Sequence, residues 1–327
     1  MNANIRTSEH VFRGLVWTVL LSLLIAACGT ATPLPVPEEA TEAPVVVATE
    51  PPTSVPTEPP VVEPSQPLSG LDANPQRVEF QAEDGINLVG YYYPSKYADA
   101  PIMILMHWAG GDLADWCEIA PWLQNRGDEN PVKPERCANA GTNLPAGMAA
   151  PWLDPSWFPA MNPDVSLAVF AFDFRGYGES DGGSGNETLD ALAAFETAAG
   201  FEGVDVARMA ALGASIGADG APDGCLLYNQ KVGSGCLGAF ALSPGSYLGM
   251  VYATTVNDLA PIPVWCLTAE EDVYSLTTCN SASGEHYRVQ TYPGNAHGMV
   301  LIAPGLDPLP MILIQDFMEL VFGETVK

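Results

Sequence analysis

The spacing of apolar and polar positions changes character near residue 70. Beyond that point, short apolar segments recur at intervals. "RVEFQAED" (77–84) and "INLVGYYYP" (86–94) alternate apolar with polar side chains around Asp84-Gly85, which predicts a β-hairpin. "PIMILMH" (101–107) and "VSLAVFAFDF" (165–174) are continuous apolar runs, as strands buried on both faces should be. "ARMAALGAS" (207–215), "CLGAFALSPG" (236–245), "PVWCLTA" (263–269) and "HYRVQTYPG" (286–294) predict four more strands. Residues 112–126 read as a helix with Asp112 as a possible cap. "ETLDALAAFETAAG" (187–200) reads as a helix ended by glycine, and "PMILIQDFMELVFG" (310–323) as a closing amphipathic helix. Strands alternating with helices specify an α/β fold: a mostly parallel twisted sheet with helices on both faces, opened by an antiparallel hairpin. Residues 127–164 follow neither period and are rich in Pro, Asn, Gly and Trp. They are expected to be an insertion that packs Trp152, Trp157, Phe158 and Met161 over the domain, beside the pocket mouth.

The first 70 residues have a different texture. Arg6 and Arg13 precede "GLVWTVLLSLLIAA" (14–27), an apolar run shorter than the ~20 residues a membrane-spanning helix needs. A basic start, a short apolar core and small residues describe a secretory signal over residues 1–27. The run ends in "IAAC", which resembles a bacterial lipobox and implies lipidation of Cys28. The plainer alternative is an ordinary signal cut near Ala27. Residues 28–69 contain "TEPPTSVPTEPPVVEP" and no aromatic, Lys or Arg from Thr30 to Leu68, so they cannot build a core and should form an extended tether. The folded domain is then 70–327, lipid-anchored outside the membrane at the cell envelope.

Charge and cysteines narrow the partners. The chain has 12 Lys and Arg against 39 Asp and Glu. Setting aside Arg6, Arg13, Glu9 and the six tether glutamates leaves 10 basic and 32 acidic residues, near −22. Such a surface excludes a nucleic-acid binder and disfavours electrostatic docking on anionic lipid. Besides Cys28 there are six cysteines, an even number that suggests disulfides in an exported domain. None has C-x-x-C spacing, and the domain's histidines are His107, His286 and His297, so a metal site is not expected. Six cysteines allow 15 pairings. Locality favours Cys117–Cys137, Cys225–Cys236 and Cys266–Cys279, with free buried thiols as the alternative.

"AALGASIGADG" (210–220) carries the sharpest chemical signal. Ser215 stands between Gly213 and Gly217 after an apolar strand, where a turn too sharp for side chains would present a nucleophile. The Ile216 amide, opening the next helix, would face whatever Ser215 attacks. A serine hydroxyl needs a base. His297, in the loop after the last strand, is the candidate, whereas His286 starts that strand and belongs at its far end. Glu270, Glu271 and Asp272 follow the strand 263–269 and offer a carboxylate to orient the base.

Taken together, "LMHWAGG", "FDFRGYGES", "GASIG", "LSPGSY", "AEEDVYS" and "YPGNAHG" occur in one order over residues 75–323. This series resembles the α/β-hydrolase superfamily, near its dienelactone-hydrolase-like and acyl-peptidase-like members. The resemblance implies Ser215 as nucleophile, Asp272 as acid by the chain order Ser–Asp–His, and His297 as base. It implies an oxyanion hole from the Ile216 amide and that of Trp108 or Ala109, and no cofactor. Asp173 and Arg175 read as structural. The sequence departs from the pattern in three places: Trp108 stands where glycine is usual, the insertion is long, and Pro222 should interrupt the helix after Ser215. After "LSPG", only a short connection is expected where a lid often sits. The implied activity is hydrolysis of a small carboxylic ester. A short-peptide peptidase and a non-catalytic binding lipoprotein are the alternatives, and the sequence does not fix the oligomeric state.

Overall fold

The computed structural model describes residues 66–323 apart from 130, 131, 143, 145 and 146. The signal segment, Cys28 and the tether up to residue 65 lie outside the described residues. Eight strands form one sheet: β1 (Gln76–Gln81), β2 (Asn87–Tyr93), β3 (Ala100–Met106), β4 (Ala168–Asp173), β5 (Val204–Ala214), β6 (Cys236–Leu242), β7 (Val264–Ala269) and β8 (Tyr287–Tyr292). Their order is β1-β2-β4-β3-β5-β6-β7-β8. β2 runs antiparallel to β1 and β4, and every other pair is parallel. The hairpin and the six further strands therefore stand where the apolar periods put them, with β8, at the edge of the sheet, burying only Tyr292.

The helices are α1 (Ile119–Gln124), α2 (Glu187–Ala198), α3 (Ile216–Val232), α4 (Tyr252–Leu259), α5 (Val273–Cys279) and α6 (Pro310–Phe322). One face of the sheet, with Met103, Leu105, Val169, Leu212, Phe240 and Leu267, is covered by α1, α6 and Trp152 of the insertion. The other face, with Ile102, Ile104, Phe170, Ala211 and Cys266, is covered by α2, α3, α4 and α5. Strand residues alternate between these two cores, so both faces exclude water and both faces read as apolar in the sequence.

Three expectations are corrected. Residues 112–126 are not one helix. Asp112 caps a short 3-10 turn, Leu113–Trp116, by accepting the Ala114 N–H at 2.9 Å, and α1 follows separately. Pro121 has no N–H to continue a helix from the turn, but it fits the first turn of a new one. Pro222 does not interrupt α3, which is continuous through it. Its flanking glycines are packing devices: a Cβ at Gly224 would lie 2.9 Å from the Phe195 ring, and one at Gly220 2.9 Å from Met106 Sδ. Close packing of α3 outweighs the ~3 kcal/mol that an interior proline costs. The segment after "LSPG" holds more than a short connection, because α4 forms there. Tyr252, Thr255, Val256 and Leu259 are its buried residues, at the spacing of one helical face.

The insertion packs on the domain, as its apolar content requires. Its described part contains only short 3-10 turns. Trp152 and Met161 are buried, and Leu144, Leu153, Trp157 and Phe158 pack against the same core. Trp122 of α1 donates to Pro159 O at 2.7 Å, and Asn125 Nδ2 donates to Asn162 O and Val165 O. The six domain cysteines lie at bonding distance as Cys117–Cys137, Cys225–Cys236 and Cys266–Cys279, the local pairing.

Candidate active site

Strand β5 delivers Ser215 to the carboxyl edge of the sheet, where ligands of open α/β sheets bind. Its backbone is in a rare conformation, φ 52° and ψ −112°, directly before α3. The flanking glycines make that turn sterically feasible. A Cβ on Gly213 would lie 1.8 Å from Gly217 O, and one on Gly217 would lie 2.1 Å from Met106 O. No side chain fits either place. The strain is held by tertiary bonds: Ser215 N–H donates to Leu242 O at 2.8 Å and Gly217 N–H to His107 O at 3.2 Å.

Three loops bring the sequence-expected residues together. Ser215 Oγ–H donates to His297 Nε2 at 2.9 Å, and His297 Nδ1–H donates to Asp272 Oδ2 at 2.7 Å. A carboxylate accepts only, which fixes the imidazole tautomer and leaves Nε2 to receive the serine proton. Of the three carboxylates at 270–272, Asp272 is the one that bonds His297; Glu270 and Glu271 are exposed. Asp272 also caps α5 through its second oxygen, toward Ser275 N. The Cys266–Cys279 bridge joins β7 to the end of α5 and so closes the loop that carries Asp272.

The remaining histidines lie elsewhere. His286 donates from Nε2 to Val256 O at 2.9 Å, at the start of β8. His107 is fully buried; its Nε2 accepts the Phe174 N–H and its Nδ1–H donates to Trp108 O. Burial holds its pKa below the ordinary histidine value, so the ring is neutral. Asp173 accepts the Leu113 and Glu179 N–H groups, and burial pushes its pKa up to about 6. Arg175 pairs with Asp190 and Asp84. Both residues brace loops around the site and neither touches the triad.

Two features were not visible in the sequence. The first is Asp115, a buried carboxylate that accepts Trp108 Nε1–H at 2.6 Å and faces Trp152 Nε1 at 3.4 Å. Burial raises its pKa against those two donors. It fixes the Trp108 indole next to the serine. A Cβ on Gly298 would stand 3.1 Å from that ring and 3.6 Å from Ser215 Cβ, so the ring and Ser215 share one small space. The second is Asp219 on α3, whose carboxylate accepts the backbone N–H groups of Gly245, Ser246 and Tyr247 at 3.1, 3.0 and 2.6 Å. An acid one turn after a nucleophile elbow is the only sequence hint of that role. Among the described residues, no group of three or more His, Cys, Asp or Glu could hold a metal ion.

No family model matches the chain, and no curated sequence does. Solved structures do. GrgF, an alpha/beta hydrolase from Penicillium sp. sh18, aligns with a TM-score of 0.53 at 13% identity over 76% of this chain and 99% of its own. The 2,6-dihydroxy-pseudo-oxynicotine hydrolase aligns at 0.51 and 13% identity, over 78% of this chain and 71% of its own. The Pyrococcus furiosus esterase Pf2001 aligns at 0.48 and 15% identity, over 76% and 91%. The chain has the α/β-hydrolase fold.

Proposed function

We propose that this protein is a serine hydrolase of carboxylic esters, with Ser215 as nucleophile, His297 as general base and acid, and Asp272 as the group that orients it. The observation that carries the reading is the continuous hydrogen-bonded chain from Ser215 Oγ through His297 to Asp272. In the first step Oγ attacks the ester carbonyl carbon while its proton passes to His297 Nε2. The tetrahedral intermediate collapses, the carbon–alkoxide bond breaks, and Nε2 returns the proton to the leaving alcohol. Water then attacks the acyl-serine, again losing a proton to Nε2, and the acid leaves as Ser215 is restored.

The oxyanion would be held by two backbone amides. Ile216 N–H is the first of α3 and has no acceptor within the helix. For the second, the peptide geometry favours Ala109 over Trp108. His107 C=O turns toward Gly217 N, so the Trp108 N–H of that trans peptide points away from the elbow. Trp108 C=O turns inward to the buried His107 ring, which directs the Ala109 N–H outward to the site. Ser215→Ala should abolish hydrolysis of a p-nitrophenyl acyl series and labelling by a fluorophosphonate, with the circular dichroism of the parent. Parent-rate hydrolysis by that variant would falsify the mechanism.

We infer further that the domain is exported and held at the envelope by lipid on Cys28. The three disulfides support an oxidising compartment, and the acidic surface leaves lipid as the anchor. Among the described residues no helix is long and apolar enough to cross a membrane. Expressed in a bacterium, the full chain should sediment with membranes, and Cys28→Ser should release it or stop its processing. A soluble, unlipidated parent protein would rule the anchor out.

A further inference from the structure

Two tyrosines stand beside the candidate site. The Tyr247 ring meets His297 edge-on, with centroids 6.5 Å apart and planes at 78°. Tyr274 tilts against Tyr247 at 5.6 Å and 35°. Both are open to solvent, Tyr247 at 40% and Tyr274 at 60%, and Val273 beside them is 66% exposed. Large apolar side chains left uncovered together mark a surface that something else covers.

These rings are held in place. Asp219 fixes the backbone of Gly245, Ser246 and Tyr247, and Ser246 Oγ accepts Tyr252 N–H at 2.9 Å, tying the turn to α4. A Cβ on Gly245 would lie 2.2 Å from the Tyr247 ring, so the ring folds back over a position that only glycine leaves open. Tyr274 sits in the first turn of α5, the helix that Asp272 caps. The pair is therefore built into the same loops as the acid and the base. Rigid rings lose little freedom on contact, which is what a recognition surface needs.

We propose that Tyr247 and Tyr274 form the leaving-group subsite, and that it takes an alcohol bearing an aromatic ring of the benzyl type. The proposal rests on the hydrolase reading above. His297 must hand its proton to the leaving oxygen, which places that oxygen within ~3 Å of Nε2. The group beyond the oxygen then lies beside His297, whose ring has Tyr247 edge-on to it with centroids 6.5 Å apart. A ring joined through one methylene comes within the ~4.5–7 Å centroid range that aromatic pairs favour. An alkyl alcohol of equal size would gain burial there but no ring–ring contact.

The test uses the parent protein and three acetates with one acyl group: benzyl, cyclohexylmethyl and ethyl. The expected kcat/KM for benzyl acetate exceeds that for cyclohexylmethyl acetate by about 2- to 10-fold, the worth of one aromatic pair. Tyr247→Leu and Tyr274→Leu should each bring that ratio toward one, mainly through KM, and Tyr274→Phe should restore it. A merely structural role would lower both esters alike and leave the ratio unchanged, which overturns the proposal. Turnover with no preference in the parent overturns it while leaving the hydrolase reading intact. No turnover of any ester sinks both. A changed oligomeric state in Tyr274→Leu with an unchanged ratio would make the rings an interface between copies and also overturn it.

Discussion

The Trp108 indole stands beside Ser215 under the grip of Asp115. A rigid ring in that space limits the acyl group that can approach the serine, so short acyl esters should be preferred. Trp108→Ala should shift the p-nitrophenyl acyl profile toward hexanoate and octanoate, at a stability cost of about 3–5 kcal/mol for emptying the site. Trp108→Phe keeps much of the wall but removes the shorter of the two donors to the Asp115 carboxylate, so it should lose stability with little change in chain-length profile. Acyl-series kinetics and urea denaturation check both. At this scale the sharp turn at Ser215 was legible because its steric demand is local: Gly213 and Gly217 are written two positions either side of Ser215. The Trp108–Asp115–Trp152 cluster was not, because Asp115 and Trp152 are 37 positions apart and nothing local in either segment requires the other.

Among the elements, α3 carries the most unusual burden. It buries Asp219 and Asp223 against the sheet and α4. Asp223 accepts Thr255 Oγ1–H at 2.8 Å, its other oxygen has no partner among the described residues, and burial pushes its pKa up to about 7. Asp219 is pushed to about 6 by burial, against three backbone donors. In each case the folded pKa is above the unfolded one, so the folded state binds protons more tightly. That contribution is fully present below about pH 4 and is lost as pH rises through about 7. Asp223→Asn should therefore flatten the fall in stability between pH 5 and 8, by up to about 3 kcal/mol across that window. Denaturant midpoints at fixed intervals of pH measure it; an unchanged slope refutes the assignment. The same helix shows where element reading fails. Proline and glycine speak for a break in an isolated helix, but the packing of Gly220 and Gly224 on Met106 and Phe195 is a tertiary term. The missed α4 did carry its signal, the spacing of Tyr252, Thr255, Val256 and Leu259, diluted by threonines that favour neither helix nor strand strongly.

For the molecule as a whole, the sheet was readable because burial on both faces makes its central strands nearly uniform in polarity. The insertion was readable only as a departure. Its apolar residues announced that it packs, while the partners of Trp152 depended on where β3 and its loop deliver Trp108 and Asp115. Long-range charge speaks to partners and not to architecture. An acidic domain near −22 will repel acidic substrates and surfaces.

The Cys117–Cys137 bridge ends a 20-residue separation that contains the exposed Glu129 and Glu135. Its consequence is tolerance of a cut chain. A glutamate-specific protease that nicks after either residue leaves the two fragments covalently joined, with Asp112 on one fragment still paired to Arg136 on the other. The nicked protein should migrate as one band without reductant and two with it. It should keep its hydrolytic rate in the first state and lose it on reduction, as Trp152 is released from behind Trp108. Equal activity of the nicked protein before and after reduction would mean that the bridge does not hold that wall.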